Sequence, residues 1–261
     1  SAAGTGNPDR PGLALALAEL ALRRVPADAA GAARELDAAL ADLGANDARR
    51  GRTLRRAADL SLQRSDLPAA RRYYDQLLAQ APGKERALAL RKELAEALAQ
   101  QRDPALRREA LTTWQQIEGA LRPGEAGRAE AALRVGELLE EAAREGAGPG
   151  ASAESAVELA RARDAYRRGL AGLPGANPLR RDLYEHLIGV HRRLGDLRGL
   201  AAALEAEWPA AGRGFTESDL LARVYDELGE SERALAAYRA ALAARPHATD
   251  VRRRLIAVLE R

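Results

Sequence analysis

The sequence SDLLARVYDELGESERALAAYRAALAARP occupies residues 218–246 and shows most clearly how this chain folds. Apolar residues recur at helical spacing on both sides of Gly229, which predicts two short amphipathic helices joined at that glycine. Ala234 is small where two helices must approach closely, and Tyr238 lies one turn later on the same face. Pro246 ends the second helix, because a proline cannot continue one. The stretch is therefore predicted to form a helical hairpin.

This hairpin resembles the tetratricopeptide repeat (TPR), a helix-turn-helix unit with an aromatic, Leu-Gly, Tyr, Ala, an aromatic and Pro at fixed positions. The matching residues are Leu221, Tyr225, Ala234, Tyr238 and Pro246. Ser218 replaces the usual first aromatic residue, and Ala222 replaces the usual glycine. The resemblance implies an all-α fold, a right-handed α-α superhelix (a TPR-like solenoid) in which each hairpin is stabilised by stacking on its neighbours.

Five other stretches repeat the pattern with variations. The predicted hairpins lie near residues 13–44, 51–82, 84–123, 128–174, 178–209 and 215–246, and a last helix lies at 250–261. Residues 1–12 are small, polar and interrupted by Pro and Gly, which predicts a flexible lead. The sequence thus predicts a single TPR-like array over residues 13–261, with about six hairpins.

The spacing of equivalent residues tests this register. Ala234 follows Leu200 by the 34-residue TPR period, whereas the earlier steps are longer. A different helical-hairpin repeat therefore remains open for the first half. One equivalent position is aromatic in four hairpins, which predicts packing anchors between helices: Tyr74, Trp114, Tyr166 and Tyr238.

Two segments have more than one interpretation. A Gly-rich loop with the sequence GAGPG at residues 146–150, continuing to Ser155, is either a tolerated surface insertion or a flap that contacts a partner. The last helix either caps the array, with Leu255, Ile256 and Leu259 stacked on the preceding hairpin, or begins a truncated seventh repeat.

Composition limits the possible classes of protein. The chain has 261 residues, with 41 Lys and Arg against 38 Asp and Glu, a balance that does not by itself argue for nucleic acid. The absence of Cys excludes disulfides, a thiol nucleophile and a Cys-ligated zinc site. The basic residues are almost all Arg, which favours a GC-rich bacterial source.

The compartment is left open by the sequence. The longest apolar run, 13–21, is shorter than the roughly 20 residues needed to span a bilayer, so no membrane span is predicted. No signal peptide is visible, and a soluble protein of cytoplasm or periplasm is expected. The chain begins at Ser1 and contains no Met, which suggests trimming or processing.

No catalytic, cofactor or metal site is predicted. The only histidines are His186, His191 and His247. His186 and His191 are five residues apart on one helix, which turns them away from each other, and His191 takes the place of the repeat's Tyr as a packed residue. No strand precedes the GAGPG loop and no Gly-Lys-Ser/Thr follows it, so it lacks the context of a phosphate-binding loop. An enzyme is therefore not expected.

The TPR resemblance also implies a binding surface, because the first helix of each TPR unit lines a concave groove. The predicted partner-binding residues are Arg52, Arg55, Asp59, Lys92, Glu96, Glu137, Glu140, Glu185, Asp219, Arg223 and Asp226. Arg55 and Asp59 stand where the family's carboxylate-clamp version has Lys and Asn, and an Asp would repel a terminal carboxylate. A groove that is basic at one end and acidic in the middle suits a peptide or helix of mixed charge.

These observations favour a non-catalytic protein–protein interaction scaffold, or adaptor, that binds a partner peptide or helix. An alternative is a nucleic-acid-associated repeat, based on the Arg cluster at 49–56 and a pI near 9.5. Against it, most aromatic residues are committed to the core, which leaves chiefly three for base stacking: Tyr73, Trp208 and Phe215. A second alternative is a helper domain of a larger envelope-assembly or polysaccharide-export protein. The simplest interpretation of each charge cluster is a solvated helix face.

Overall fold

The computed structural model describes residues 10–23, 28–45, 47–81, 83–145 and 152–261. The chain divides into two compact units, Ser1–Ile117 and Glu118–Arg261. Within the described ranges there are thirteen α-helices, one short 3-10 helix and no strand. The predicted all-α fold of helical hairpins is therefore confirmed.

The first unit contains six helices, the last of which ends just inside the second unit. They are α1 (Arg10–Arg23), α2 (Ala29–Asp42), α3 (Arg50–Gln63), α4 (Leu67–Ala79), α5 (Gly83–Ala99) and α6 (Pro104–Ala120). Helix α1 packs on α2, and α3 packs on α4. Residues 10–12 belong to α1, so the predicted flexible lead was wrong at these positions. Pro11 lies in the first turn, where a helix tolerates proline because that N–H has no helical partner.

The second unit continues the same arrangement. It contains α7 (Ala126–Glu145), α8 (Ser152–Leu170), α9 (Leu179–Leu194), α10 (Leu197–Glu207), a 3-10 turn (Ala210–Gly212), α11 (Phe215–Glu227), α12 (Ser231–Ala244) and α13 (Thr249–Leu259). Helices α7 and α8 pair, as do α11 and α12, while α8 packs on α9 and α12 on α13. Hairpins therefore stack on one another inside this unit. A superhelix running through both units remains a prediction.

One predicted feature, the GAGPG loop at 146–150, lies outside the described residues.

The turn inside the hairpin at 218–246 has a specific backbone geometry. Gly229 has φ +73°, and the N–H of Glu230 donates to the carbonyl oxygen of Tyr225 at 2.9 Å. This 6→1 bond is the Schellman motif that ends a helix at a left-handed residue. Gly195 and Ser65 also have positive φ, and the N–H of the next residue makes the same 6→1 hydrogen bond in each case. One turn type therefore recurs.

Aspartates begin several second helices. The side chains of Asp28, Asp66 and Asp196 accept hydrogen bonds from backbone N–H groups three residues later, at Gly31, Ala69 and Gly199. These caps satisfy N–H groups that have no partner inside the helix. The left-handed residue and the capping Asp together explain why the turns stay short.

Four hairpins each contribute one equivalent aromatic residue and one equivalent small residue to the core. Tyr74, Trp114, Tyr166 and Tyr238 are each at most 1% exposed. The small second-helix residues are equally buried: Ala70, Ala110, Ala162 and Ala234. The predicted role of the four aromatic residues as packing anchors is therefore confirmed.

Candidate protein-interaction surface

Charged side chains on α9, α11 and α13 pair across neighbouring helices of the second unit. The guanidinium of Arg223 on α11 donates to both carboxylate oxygens of Glu185 on α9. Asp219, also on α11, accepts from Arg254 on α13 at 3.0 Å. Asp226 lies 3.0 Å from Arg261, just after α13. We call these three pairs the charge ladder: Glu185–Arg223, Asp219–Arg254 and Asp226–Arg261.

The charge ladder is partly buried, which affects its acids differently. Burial raises the pKa of Asp219, although Arg254 and Arg223 oppose the rise. For Glu185, burial also favours the neutral form, but the hydrogen bonds from Arg223 outweigh it and hold the pKa below its usual range. Glu185 and Arg223 therefore form a stable pair of charges.

A second cluster joins α7, α8 and α9. Glu140 accepts hydrogen bonds from the hydroxyl of Tyr166 at 2.6 Å and from Nδ1 of His186 at 2.9 Å. Arg193 lies 3.4 Å from its other oxygen, and Glu137 lies 3.7 Å from Nε2 of His186. The rings of Tyr166 and His186 stack at 5.0 Å. We call this group the Glu140 cluster.

Protonation in the Glu140 cluster follows from these contacts. The hydrogen bond to Glu140 raises the pKa of His186, although partial burial opposes the rise. Burial alone would raise the pKa of Glu140, but the bonds from His186 and Tyr166 lower it below its usual value. The two groups thus stabilise each other's charged forms.

The predicted groove residues of the first unit are less paired. Arg55 on α3 donates to Glu93 on α5 at 2.8 Å, again joining the first helices of two hairpins. Lys92 is half-buried. The remaining predicted residues are exposed: Arg52, Asp59 and Glu96. Hence seven of the eleven predicted residues are held in cross-helix charge pairs: Arg55, Glu137, Glu140, Glu185, Asp219, Arg223 and Asp226.

The sequence interpretation missed the partners of these residues, which are Glu93, His186, Arg193, Arg254 and Arg261. A signal for some of them exists in the spacing. Arg254 follows Asp219 by 35 residues, and Arg223 follows Glu185 by 38. Opposite charges one repeat apart fall on equivalent positions of adjacent hairpins, so a search at that spacing would have found them.

The aromatic residues expected to be available for base stacking are not available. Tyr73 is 4% exposed and Trp208 is 9% exposed, with its ring packed edge-on against Tyr184 at 4.8 Å. Phe215 is half-buried, and the guanidinium of Arg245 lies 4.4 Å from its ring centre. That expectation was wrong for Tyr73, which lies within α4, and for Trp208, because helix packing buries both rings.

His191 is a packed core residue, as predicted from its place in the repeat. Its side chain is fully buried, and Nδ1 lies 3.0 Å from the carbonyl oxygen of Asp196. Burial lowers the pKa of His191. In the part of the chain that the structure describes, no three His, Cys, Asp or Glu side chains meet as a metal site. Across the same residues, no helix has the length and apolarity to cross a membrane.

Several solved structures are similar to this chain. A thermophilic TPR protein of Thermus thermophilus is 20% identical over 81% of this chain and all of its own, with a TM-score of 0.44. A TPR protein of Parabacteroides merdae is 12% identical, over 96% of this chain and 99% of that protein, with a TM-score of 0.36. PilW, a type IV pilus biogenesis factor, is 14% identical, over 94% of this chain and 98% of PilW, with a TM-score of 0.41.

No protein-family model matches this sequence, and no curated protein matches it. The helical pairs, the left-handed turns and the buried Ala and Tyr positions are properties of this chain itself. By these features, the chain is an all-α protein of TPR-like helical hairpins.

Proposed function

We propose that this chain is a non-catalytic scaffold for protein–protein interaction, and that the first helices of its hairpins bind a peptide or helix of mixed charge. The charge ladder carries this proposal. It places acidic and basic side chains at defined positions along α9, α11 and α13, with Arg261 and Arg254 still substantially exposed. Such a surface selects a partner by its charge pattern.

The Asp226–Arg261 pair, whose arginine is mostly exposed, opens at a cost small enough for exchange with a partner. Exposed ion pairs contribute about 0.2–1 kcal/mol each. A partner that offers an acid to Arg261 and a base to Asp226 therefore replaces a weak internal pair with two intermolecular ones.

The paired arginines argue against nucleic acid. In the cluster at 49–56, Arg49 bonds Asp47, and Arg55 bonds Glu93. Arg50 donates to the carbonyl oxygens of Leu40 and Leu43. These groups are committed to the fold and are not arranged as a row of phosphate contacts.

Reversing two of the three pairs of the charge ladder tests the proposal while keeping internal pairing. We would make Glu185→Arg with Arg223→Glu, and Asp226→Arg with Arg261→Glu, in one variant. The matched control exchanges Arg71 and Glu109, a cross-helix pair of α4 and α6 that lies on second helices. Each immobilised protein is then used to capture partners from lysate of the native host, with and without nuclease.

We expect a defined set of proteins to be retained by the wild type and the control after nuclease, and lost from the reversed variant. Retention of the same proteins by the reversed variant would remove the charge ladder as the binding surface. Retention that disappears with nuclease would instead support the nucleic-acid alternative. In that case the affinity of the chain for duplex DNA should also depend steeply on salt concentration.

A further inference from the structure

The first unit contains an open cleft between α1, α2 and α3. Its volume is 660 Å³, which falls in the range of about 300–1,000 Å³ typical of ligand sites. Leu15 and Ala18 of α1 and Leu36 of α2 form an apolar floor. Arg52 and Arg56 of α3 lie along one side.

The two arginines differ from their neighbours in the Arg cluster. Arg52 and Arg56 are exposed, and neither side chain has a hydrogen bond or ion pair to any residue that the structure describes. Asp59 lies about one turn beyond Arg56 on α3, and the charge of Arg56 acts on this carboxylate. The arginines are one helical turn apart, which separates them by about 6 Å along the helix.

The opposite side of the cleft carries the other sign of charge. Glu19 of α1 lines it and is exposed. The cleft therefore has a basic edge on α3, an apolar floor and an acidic edge on α1. A uniform polyanion such as nucleic acid would meet repulsion at Glu19 and leave the apolar floor unfilled.

We propose that this cleft binds an acidic amphipathic helix of a partner protein. Apolar side chains of that helix cover Leu15 and Leu36, and two carboxylates at positions i and i+4 face Arg52 and Arg56, because that spacing also places them one turn apart. A basic residue on its other edge faces Glu19. This inference rests on the proposed function, since it specifies the partner chemistry for the first helices α1 and α3.

A synthetic helix tests the inference directly. The probe is a fluorescein-labelled peptide of about 18 residues, or five turns, with Leu on one face, paired Glu on one edge and Lys on the other. A twin with Lys on both edges and a scrambled peptide with the composition of the probe serve as controls. Binding to the purified chain is measured by fluorescence anisotropy, with a random duplex DNA as competitor.

The wild type is expected to bind the acidic-edged peptide in preference to both controls. Arg52→Glu with Arg56→Glu should weaken this binding by about tenfold or more and favour the twin. The matched control, Arg198→Glu with Arg239→Glu in the second unit, has the same net charge and changes exposed arginines, and should leave binding unchanged. Glu19→Arg should strengthen binding of a peptide with Glu on both edges, a gain that misfolding cannot produce.

Several results would overturn the inference. They are absence of binding to the wild type, equal binding of the scrambled peptide, equal binding by the Arg52 and Arg56 variant, or displacement by duplex DNA. If the peptide fails while charge-ladder reversal still abolishes capture of partners, the cleft is excluded and the scaffold proposal stands. If the peptide binds while reversal has no effect, the charge ladder is excluded and the cleft stands.

Discussion

A methyl group on Gly136 would lie only 2.1 Å from Cε1 of Tyr166. Tyr166 on α8 therefore crosses α7 at a place where only glycine leaves enough room. The ring is fully buried, and its hydroxyl reaches Glu140, one turn further along α7. One tyrosine thus anchors the core of this hairpin and positions the carboxylate that pairs with His186.

Gly136→Ala is expected to destabilise the protein by about 1–3 kcal/mol, because the added methyl displaces the ring of Tyr166 from a packed core. Chemical unfolding followed by circular dichroism measures this loss. Gly189→Ala is the control, since a methyl there meets nothing within 4 Å. Alanine favours helix over glycine by up to about 1 kcal/mol, so the control should be neutral or stabilising. Equal losses in both variants would contradict the proposed crossing.

Ala234→Leu tests the small position of the second helices. Ala234 is fully buried, so a larger side chain should overpack the hairpin and cost about 1–3 kcal/mol. Ala236→Leu, on the exposed side of the same helix, should change stability by less than about 0.5 kcal/mol. Thermal denaturation compares the two, and an unchanged melting temperature for Ala234→Leu would argue against the repeat register.

The Glu140 cluster predicts a pH-dependent contribution from His186. The pKa of His186 is raised in the folded protein, so its stabilising contribution is complete below the ordinary value of 6.5 and is lost as pH rises through the folded pKa. The difference in unfolding free energy between wild type and His186→Gln should therefore be larger near pH 6 than near about pH 9.

Chemical denaturation at each pH measures that difference, and the contribution of His191 cancels because both proteins contain it. His247→Gln, in an exposed turn, is the matched control and is measured at the same pH values. A pH-independent difference for His186→Gln would show that its contact with Glu140 does not affect stability.

The Glu185–Arg223 pair should be energetically coupled across two helices. A double-mutant cycle with Glu185→Gln and Arg223→Gln is expected to give a coupling energy of about 1 kcal/mol, because the pair is bidentate and half-buried. Arg134 and Glu137, three residues apart on α7, provide the comparison. Pairs within one helix contribute about 0.2–0.5 kcal/mol, so their coupling should be smaller. Equal coupling energies for the two pairs would mean that the cross-helix geometry does not strengthen the Glu185–Arg223 interaction.

Local structure was largely predictable because its causes are local. The period of apolar residues predicted the helices, and Gly229, Gly195 and Ser65 mark turns that the backbone closes with one hydrogen-bond pattern. Asp28 caps α2 by accepting from the N–H of Gly31, an interaction that spans only three residues. The burial of Tyr74 and Tyr238 followed from their recurrence at one position of the repeat.

The candidate site was predictable only in part. The residue types along the first helices were identified, but the interpretation treated them as available to a partner. Arg223 instead bonds Glu185, and Asp226 bonds Arg261. Tyr73 and Trp208 were expected to be accessible and are buried. These differences depend on how helices distant in sequence approach one another, and helical periodicity contains no information on that approach.

The sequence by itself determined the all-α class, the helical pairs, their turns and the small and aromatic core positions, because propensity, capping and periodicity act over a few residues. Only the tertiary structure decided which charges are paired and which remain available, because that depends on side chains more than thirty residues apart meeting within hydrogen-bond distance. Arg55 and Arg52 lie three residues apart, yet Glu93 on a neighbouring helix engages the first, and the second borders an open cleft.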